Sequence, residues 1–413
     1  MRILYVADAS SPIALNWISY FVGKGHEVHV VSTDPRATGD PQFASFRVVA
    51  TGLNKVKGVG AGSGRSGPKA IVAGLARKLM VAVRQKLPTS KVIELSAAAV
   101  ERDLPNLGER LSEIVREIQP DLIHAMRIPN EGIFAASATR SCPLLVSIWG
   151  NDFTLYASSS PRYRRLIRAA LSNIDALHSD CHRDARLAKE EGFDPSRRID
   201  VLPGSGGVQR GLFRPGATDR ELLKKQGVDP ESDVLIINAR GWRTYVRNDI
   251  LFQAMPQVVR KHPKVKLLCV GMQGSPQPEE WVNKYKLQEN VKLLGKFPRE
   301  QMASLFGSCL ISVSPSEHDG TPNTLLEAMA CGAFPVAGNI ESVREWITDG
   351  DNGLLCAPDS VDAVASALCR ALEDEDLRRS ALQKNQQIVG ERADYAINMA
   401  RAEQLYADLI GQT

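Results

Sequence analysis

The chain has 413 residues, 43% hydrophobic and 24% charged, which excludes a disordered or fibrous protein. At about 100–200 residues per domain it is long enough for two. Its net charge of +4 is too small to demand a polyanionic partner, and its seven scattered cysteines, odd in number and without CxxC spacing, exclude a disulfide framework or zinc knuckle and fit a reducing cytosol.

Met1 leads directly into an apolar strand, Ile3–Ala7, without the basic n-region and cleavage site of a secretory signal. No run of about 18 apolar residues follows, so a cytoplasmic chain without a bilayer span is expected. Further strands are predicted at Val28–Ser32, Leu122–Ala125, Leu144–Ile148 and Ile199–Leu202, then at Val234–Ala239, Lys266–Val270, Val291–Leu294, Leu310–Val313 and Phe334–Ala337. Amphipathic stretches such as Leu111–Ile118 and Val361–Leu372 lie between them. This alternation predicts an α/β protein of two Rossmann-like, doubly wound domains facing across a cleft. Pro203-Gly204-Ser205-Gly206-Gly207, with Pro215-Gly216 after it, reads as the linker. The expected domains are 1–205 and 206–390, with a terminal helix in 391–413 packing back toward the first.

The first βα loop, Asp8-Ala9-Ser10-Ser11-Pro12, has no glycine and does not fit a dinucleotide turn. Gly62-Ser63-Gly64-Arg65-Ser66-Gly67 matches GxGxxG, but it follows no convincing strand and lacks the later acid, so it reads as a loop. It lies in a stretch, Pro41 to Ile93, with ten Lys/Arg and no acid. There Ile71, Val72, Leu75, Leu79, Ala82 and Val83 share one helical face, while Arg77 and Arg84 point away. Such a helix suits an anionic membrane surface, so a peripheral membrane seat is expected. Arg162, Arg164, Arg165 and Arg168 form a second basic cluster. From Arg47 to Ile93 no aromatic residue interleaves with the charge, which argues against a nucleic-acid partner.

The most specific segment follows the strand Leu310–Val313. Gly320 suits a tight turn, Thr321 an N-cap and Pro322 the first helical position; Leu325, Leu326, Met329 and Ala330 form a buried face, and Gly332 stops the helix. Free N–H groups at such a helix start can hold a diphosphate. Glu327, one turn in, can accept two hydrogen bonds from a ribose diol, and Asp319 lies near whatever the phosphate carries. Asp349-Gly350-Asp351 looks like a DxD metal motif but reads as a turn. No His/Asp/Glu cluster shows metal-ligand spacing, so neither metal nor organic cofactor is expected.

Asp319 and Glu327 resemble the acid-x7-acid signature of retaining GT-B glycosyltransferases, especially glycosyltransferase family 4. The resemblance runs through Gly25-His26-Glu27-Val28, Pro120-Asp121-Leu122-Ile123-His124, Trp149-Gly150-Asn151-Asp152, Gly207-Val208 to Phe213-Arg214-Pro215, and Asp349 to Leu355. It implies metal-independent transfer of a hexose from a nucleotide-diphosphate sugar, UDP-linked in preference to GDP-linked, to a hydroxyl of a glycan, a lipid-linked glycan or another small acceptor. It places Thr321, Pro322, Asn323 and Thr324 at the diphosphate, Glu327 at the ribose and Arg240 on the phosphates. The first acid is usually glutamate, so Asp319 departs from the pattern, as does Val246 where a lysine is expected; Arg243 or Arg247 is the expected substitute. Gly271 and Phe297 should approach the nucleotide. His124, Asp152 and Asp319 are the candidate catalytic groups, with Ser10, Ser11, Trp149 and Asn151 on the acceptor side. The rival readings are a sugar-nucleotide epimerase, a pyridoxal-phosphate phosphorylase and a non-catalytic sugar-nucleotide binder.

Overall fold

A computed structural model describes residues 1–49, 88–216 and 218–411. The chain divides into two units, Met1–Ser205 with Met399–Thr413, and Gly206–Asn398. The first unit contains β1 (Arg2–Ala7), β2 (Glu27–Ser32), β3 (Ser45–Val48), β4 (Leu122–Ala125), β5 (Leu144–Ile148), β6 (Ala176–Ser179) and β7 (Arg198–Val201). They form one parallel sheet in the order β3-β2-β1-β4-β5-β6-β7. The second unit contains β8 (Val234–Asn238), β9 (Val265–Val270), β10 (Val291–Leu294), β11 (Ile311–Ser314), β12 (Phe334–Gly338) and β13 (Leu354–Cys356), parallel in the order β10-β9-β8-β11-β12-β13. Helices cover both faces of such sheets, which is why the inner strands read as unbroken apolar runs; β4 and β5 are buried throughout. The strand order reverses between β1 and β4 and between β8 and β11. These are the switch points at which open α/β sheets bind ligands.

The sequence reading omits β3, β6 and β13, which are only three or four residues long. It also sees only the end of the helix Thr89–Ile118, which runs on through Pro105 and buries Ile93, Ala97, Val100, Leu107, Leu111, Ile114, Val115 and Ile118. Most of the acid-free stretch, its apolar face and the GxGxxG match lie outside the described residues. The second basic cluster is corrected. Arg162 pairs with Glu94 and Glu101, Arg165 with Glu101, and Arg164 and Arg168 with Glu191, so these arginines are largely neutralised. Among the described residues no helix is long and apolar enough to cross a membrane.

His124 is also corrected. It does not face open space at a strand end but is completely buried. The His178 Nε2–H donates to the Leu202 carbonyl (2.9 Å), so its Nδ1 must accept from the Ser147 hydroxyl (2.9 Å). Ser147 Oγ then accepts from His124 Nε2–H (2.8 Å), and His124 Nδ1 accepts from the Tyr406 hydroxyl (2.5 Å). Tyr406 in turn accepts from Trp17 Nε1–H (2.9 Å) and the Tyr5 hydroxyl (3.1 Å). A carbonyl only accepts and an indole N–H only donates, so the two ends fix the direction of every bond between them. Tyr406 lies on the helix Tyr395–Gly411, whose residues from Met399 onward belong to this unit.

This pattern requires both imidazoles to be neutral, the state that burial favours. Burial pushes His178 down to about 4 and drives His124 well below its ordinary value, with His178 adding to the effect. Below about pH 6.5 the unfolded chain protonates rings that the folded unit keeps neutral, so stability is full above that pH and falls toward pH 4. At about pH 5, His178 alone should cost about 2 kcal/mol. Imidazole NMR across this range should show His124 and His178 unprotonated at about pH 5; if both titrate near 6.5, the chain of hydrogen bonds is wrong.

Candidate functional site

In the second unit, β8 and β11 pair only at Ile236 with Ile311 and Ile237 with Ser312. Beside this short ladder is a small cavity lined by Arg240, Ser312, Ser314, Ser316, Asp319 and Thr324 over a floor that includes Val313, Leu325 and Val336. Two asparagines shape the loop after β8. Asn238, buried at the strand end, accepts the Arg240 N–H (3.1 Å) and donates to Asn248 (3.2 Å), which donates to the Gly241 carbonyl (2.9 Å). Gly241 has φ 65°, a left-handed conformation that favours glycine. Arg240 is thereby turned toward the β11 loop, where its Nη2 lies 2.6 Å from Asp319 Oδ2. Its Nε is buried without a hydrogen-bond partner.

The loop after β11 is held at several points. Glu317 N–H donates to the Tyr245 carbonyl (2.9 Å), Ser342 to the Asp319 carbonyl (2.7 Å), and Gly320 N–H to Asp319 Oδ1 (3.2 Å). Asp319 is 8% exposed. The expected cap is corrected. The helix is Asn323–Cys331, its N-cap is Pro322, and no side chain caps it. The Thr321 hydroxyl instead accepts from Trp346 Nε1–H (3.1 Å), which draws it away from the capping role. The helix ends as expected at Gly332, with φ 94°. Asn323 and Thr324 stay partly exposed at its start.

Glu327 sits one turn into this helix, half-buried, with no hydrogen bond or ion pair among the described residues. Desolvation pushes its carboxyl up to about 7, against the pull of Arg299. Gly271 has φ 76° and follows β9, and Phe297 follows β10, half-buried against the core. The arginines expected to replace a lysine differ. Arg243 is exposed. Arg247 is held between Asp249 (3.2 Å) and Glu317 (3.1 Å), so carboxylates already occupy it, and Val246 is fully buried. The Asp349–Asp351 turn is a turn: Gly350 has φ 71°, Asp349 accepts the Leu355 N–H (2.8 Å), and Asp351 pairs with Lys384.

In the first unit, the Ser10 hydroxyl donates to Asp8 (2.6 Å) and lies 3.0 Å from Asp34, while Ser11 N–H donates to the Asp8 carbonyl (3.0 Å). Asp152 is fully buried, paired with Arg127 (2.8 Å) and accepting the Trp149 N–H (2.9 Å). It therefore holds its own loop together, and it is buried rather than facing open space as a strand end suggests. Beside it, Trp149 Nε1 and Asn151 Oδ1 are buried without hydrogen-bond partners. The expectation of no metal-ligand cluster also changes. Asp180, Cys181 and Asp184 bring ligating atoms within 4.8 Å of one another, but the buried Arg183 guanidinium lies among them, 2.8 Å from Asp184. Sequence reasoning missed Asn238, Asn248 and Arg299; the one available signal was an amide ending an apolar strand.

Residues 219–388 match the family model described as glycosyl transferases group 1, and residues 10–204 match the glycosyl transferase 4-like domain. The chain is 25% identical over 315 residues to the N-acetyl-alpha-D-glucosaminyl L-malate synthase of Bacillus anthracis, covering 74% of this chain and 79% of that one. Its fold resembles the sucrose-phosphate synthase of Thermosynechococcus elongatus, with a TM-score of 0.75, 16% identity and full coverage of both chains. It also resembles Anabaena HepE in complex with UDP-glucose, with a TM-score of 0.69, 17% identity and full coverage of both.

The β11 loop passes so close to β12 that a Cβ on Gly338 would lie 2.2 Å from the Ser316 carbonyl oxygen. Because the obstacle is backbone, Gly338→Ala should cost about 1–3 kcal/mol of stability and shift the loop that carries Asp319. Urea unfolding of the variant measures the cost, and an unchanged midpoint would contradict the packing.

Proposed function

The chain belongs to the family 4-like glycosyltransferases of GT-B fold, and on that premise we propose that it moves a hexose from a nucleotide-diphosphate sugar to a hydroxyl of a glycan or lipid-linked glycan. The observation that carries this reading is the second unit's switch point. There Arg240 lines one cavity with Pro322 and Thr324 at the uncapped helix start, and an unpartnered Glu327 lies one turn further into the same helix. The helix N–H groups and Arg240 meet the diphosphate, and Glu327 accepts the ribose diol. The sugar C1–O bond breaks toward the diphosphate, which leaves with the bonding pair. The acceptor oxygen bonds to C1, and its proton passes to the departing diphosphate. Stabilising the departing charge with fixed donors is the chain's main contribution, so no metal is assigned to the step. The family resemblance supports retention at C1.

Uracil is the favoured base, supported by the UDP-glucose bound to the HepE neighbour, with guanine the other choice. On the acceptor side, Trp149 Nε1 and Asn151 Oδ1 offer one unused donor and one unused acceptor, a pair suited to a hydroxyl. Charge pattern alone supports a peripheral seat on an anionic cytoplasmic membrane surface through residues 41–93.

A ribose diol donates to the ionised form of Glu327, so binding lowers that group's pKa from about 7. Donor affinity should then rise as pH climbs from about 6 to about 8. The diphosphate of an intact nucleotide sugar does not titrate in that window. Calorimetry with UDP-glucose and GDP-mannose should show this rise for the wild type, whereas Glu327→Gln should lose it and bind more weakly by about 1–3 kcal/mol. Equal affinity and an equal pH profile in the two proteins would remove Glu327 from the site, and no binding of either nucleotide sugar would sink the donor reading.

A further inference from the structure

We propose that Asp319 is a positioning residue that acts on the donor through Arg240, rather than a contact for the transferred sugar. The inference rests on the donor reading above and assigns this chain's aspartate a different task from the glutamate it replaces. Three observations carry it. Asp319 Oδ2 lies 2.6 Å from Arg240 Nη2, with both side chains mostly buried, at 11% and 17% exposure. Both groups are anchored from behind: Ser342 and Gly320 fix the aspartate, and Asn238 fixes the backbone of Arg240. The pair stands on the wall of the cavity beside the start of the helix Asn323–Cys331, and Arg240 Nε is left there as a buried donor with no partner.

A flexible guanidinium loses much of its rotamer freedom when it binds phosphate. A carboxylate that already holds one nitrogen removes part of that loss in advance and leaves Nε and Nη1 for phosphate oxygens. Phosphate, not sugar, is then what senses the aspartate.

UDP and UDP-glucose separate the two roles, because only the second carries the sugar. Both dissociation constants should be measured for the wild type, Asp319→Ala, the near-isosteric Asp319→Asn, Arg240→Gln and the double variant Asp319→Ala/Arg240→Gln. The expected result is that Asp319→Ala weakens UDP and UDP-glucose by the same factor, about tenfold, with Asp319→Asn intermediate. In the Arg240→Gln background the same alanine should change neither constant, since the group it acts through is gone. Loss of UDP-glucose affinity with UDP untouched would return Asp319 to the sugar and overturn the proposal. So would UDP binding as tight as in the wild type, or an undiminished effect of the alanine in the Arg240→Gln background. A wild type that binds neither ligand while GDP and GDP-mannose bind moves the same measurements to that pair; one that binds none of the four defeats the donor reading and this inference with it.

Discussion

A parallel strand can rejoin its neighbour only by a crossover long enough to hold a helix, so every βα loop is delivered to the same edge of its sheet. Both sheets here obey that constraint without exception. Loops far apart in sequence, such as those after β8 and β11, therefore meet although about seventy residues separate them. Where the winding direction reverses, the helices that follow the two strands lie on opposite faces of the sheet, and side chains from both loops line the opening left between them. In the second unit these are Arg240 and Asp319, one from each side.

The polar interiors of the two units use charge differently. In the first unit, the line from Leu202 to Tyr406 is a closed account: each hydroxyl and ring nitrogen has one allowed role, and neither histidine can take a proton without losing an accepted bond. Such a network specifies packing between a sheet and the terminal helix and has little capacity for chemistry. In the second unit, Glu327 and Arg240 Nε are covered but unmatched. Leaving groups of this kind unpaired costs stability, and a site that recovers the loss when ligand arrives is the usual reason to retain them.

How much could be read beforehand followed the range of the forces involved. Strands buried on both faces declare themselves as apolar runs, and the helix from Asn323 to Cys331 declares its stop at Gly332. β6 does not: half of Ala176-Leu177-His178-Ser179 is polar, and the partners that satisfy His178, Ser147 and the Leu202 carbonyl, lie 31 and 24 residues away. His124 and Asp152 were misread for the same cause. Ending a strand predicts exposure, yet the partners that bury them, Tyr406 and Arg127, lie 282 and 25 residues away. Thr321 failed over a shorter span: Trp346 takes the hydroxyl that would otherwise cap the helix. Local propensity names what a residue can do, and tertiary partners choose among those options.

The charge balance of the cavity beside β8 and β11 follows from these placements. Arg240 and Asp319 cancel on its wall, and Arg247 is held by Asp249 and Glu317. Pairing of this kind lowers the cost of keeping such groups out of water. On the proposed donor reading, a diphosphate would meet fixed dipoles at the helix start and the remaining nitrogens of an arginine already held in place. Fixed donors need little rearrangement when charge arrives or grows, so a wall whose charges cancel at rest can still favour the anion strongly once water is excluded. The departures at positions 246 and 319 are consistent with that economy. A buried Val246 puts no cation at that position, and the shorter carboxylate at 319 lies against Arg240.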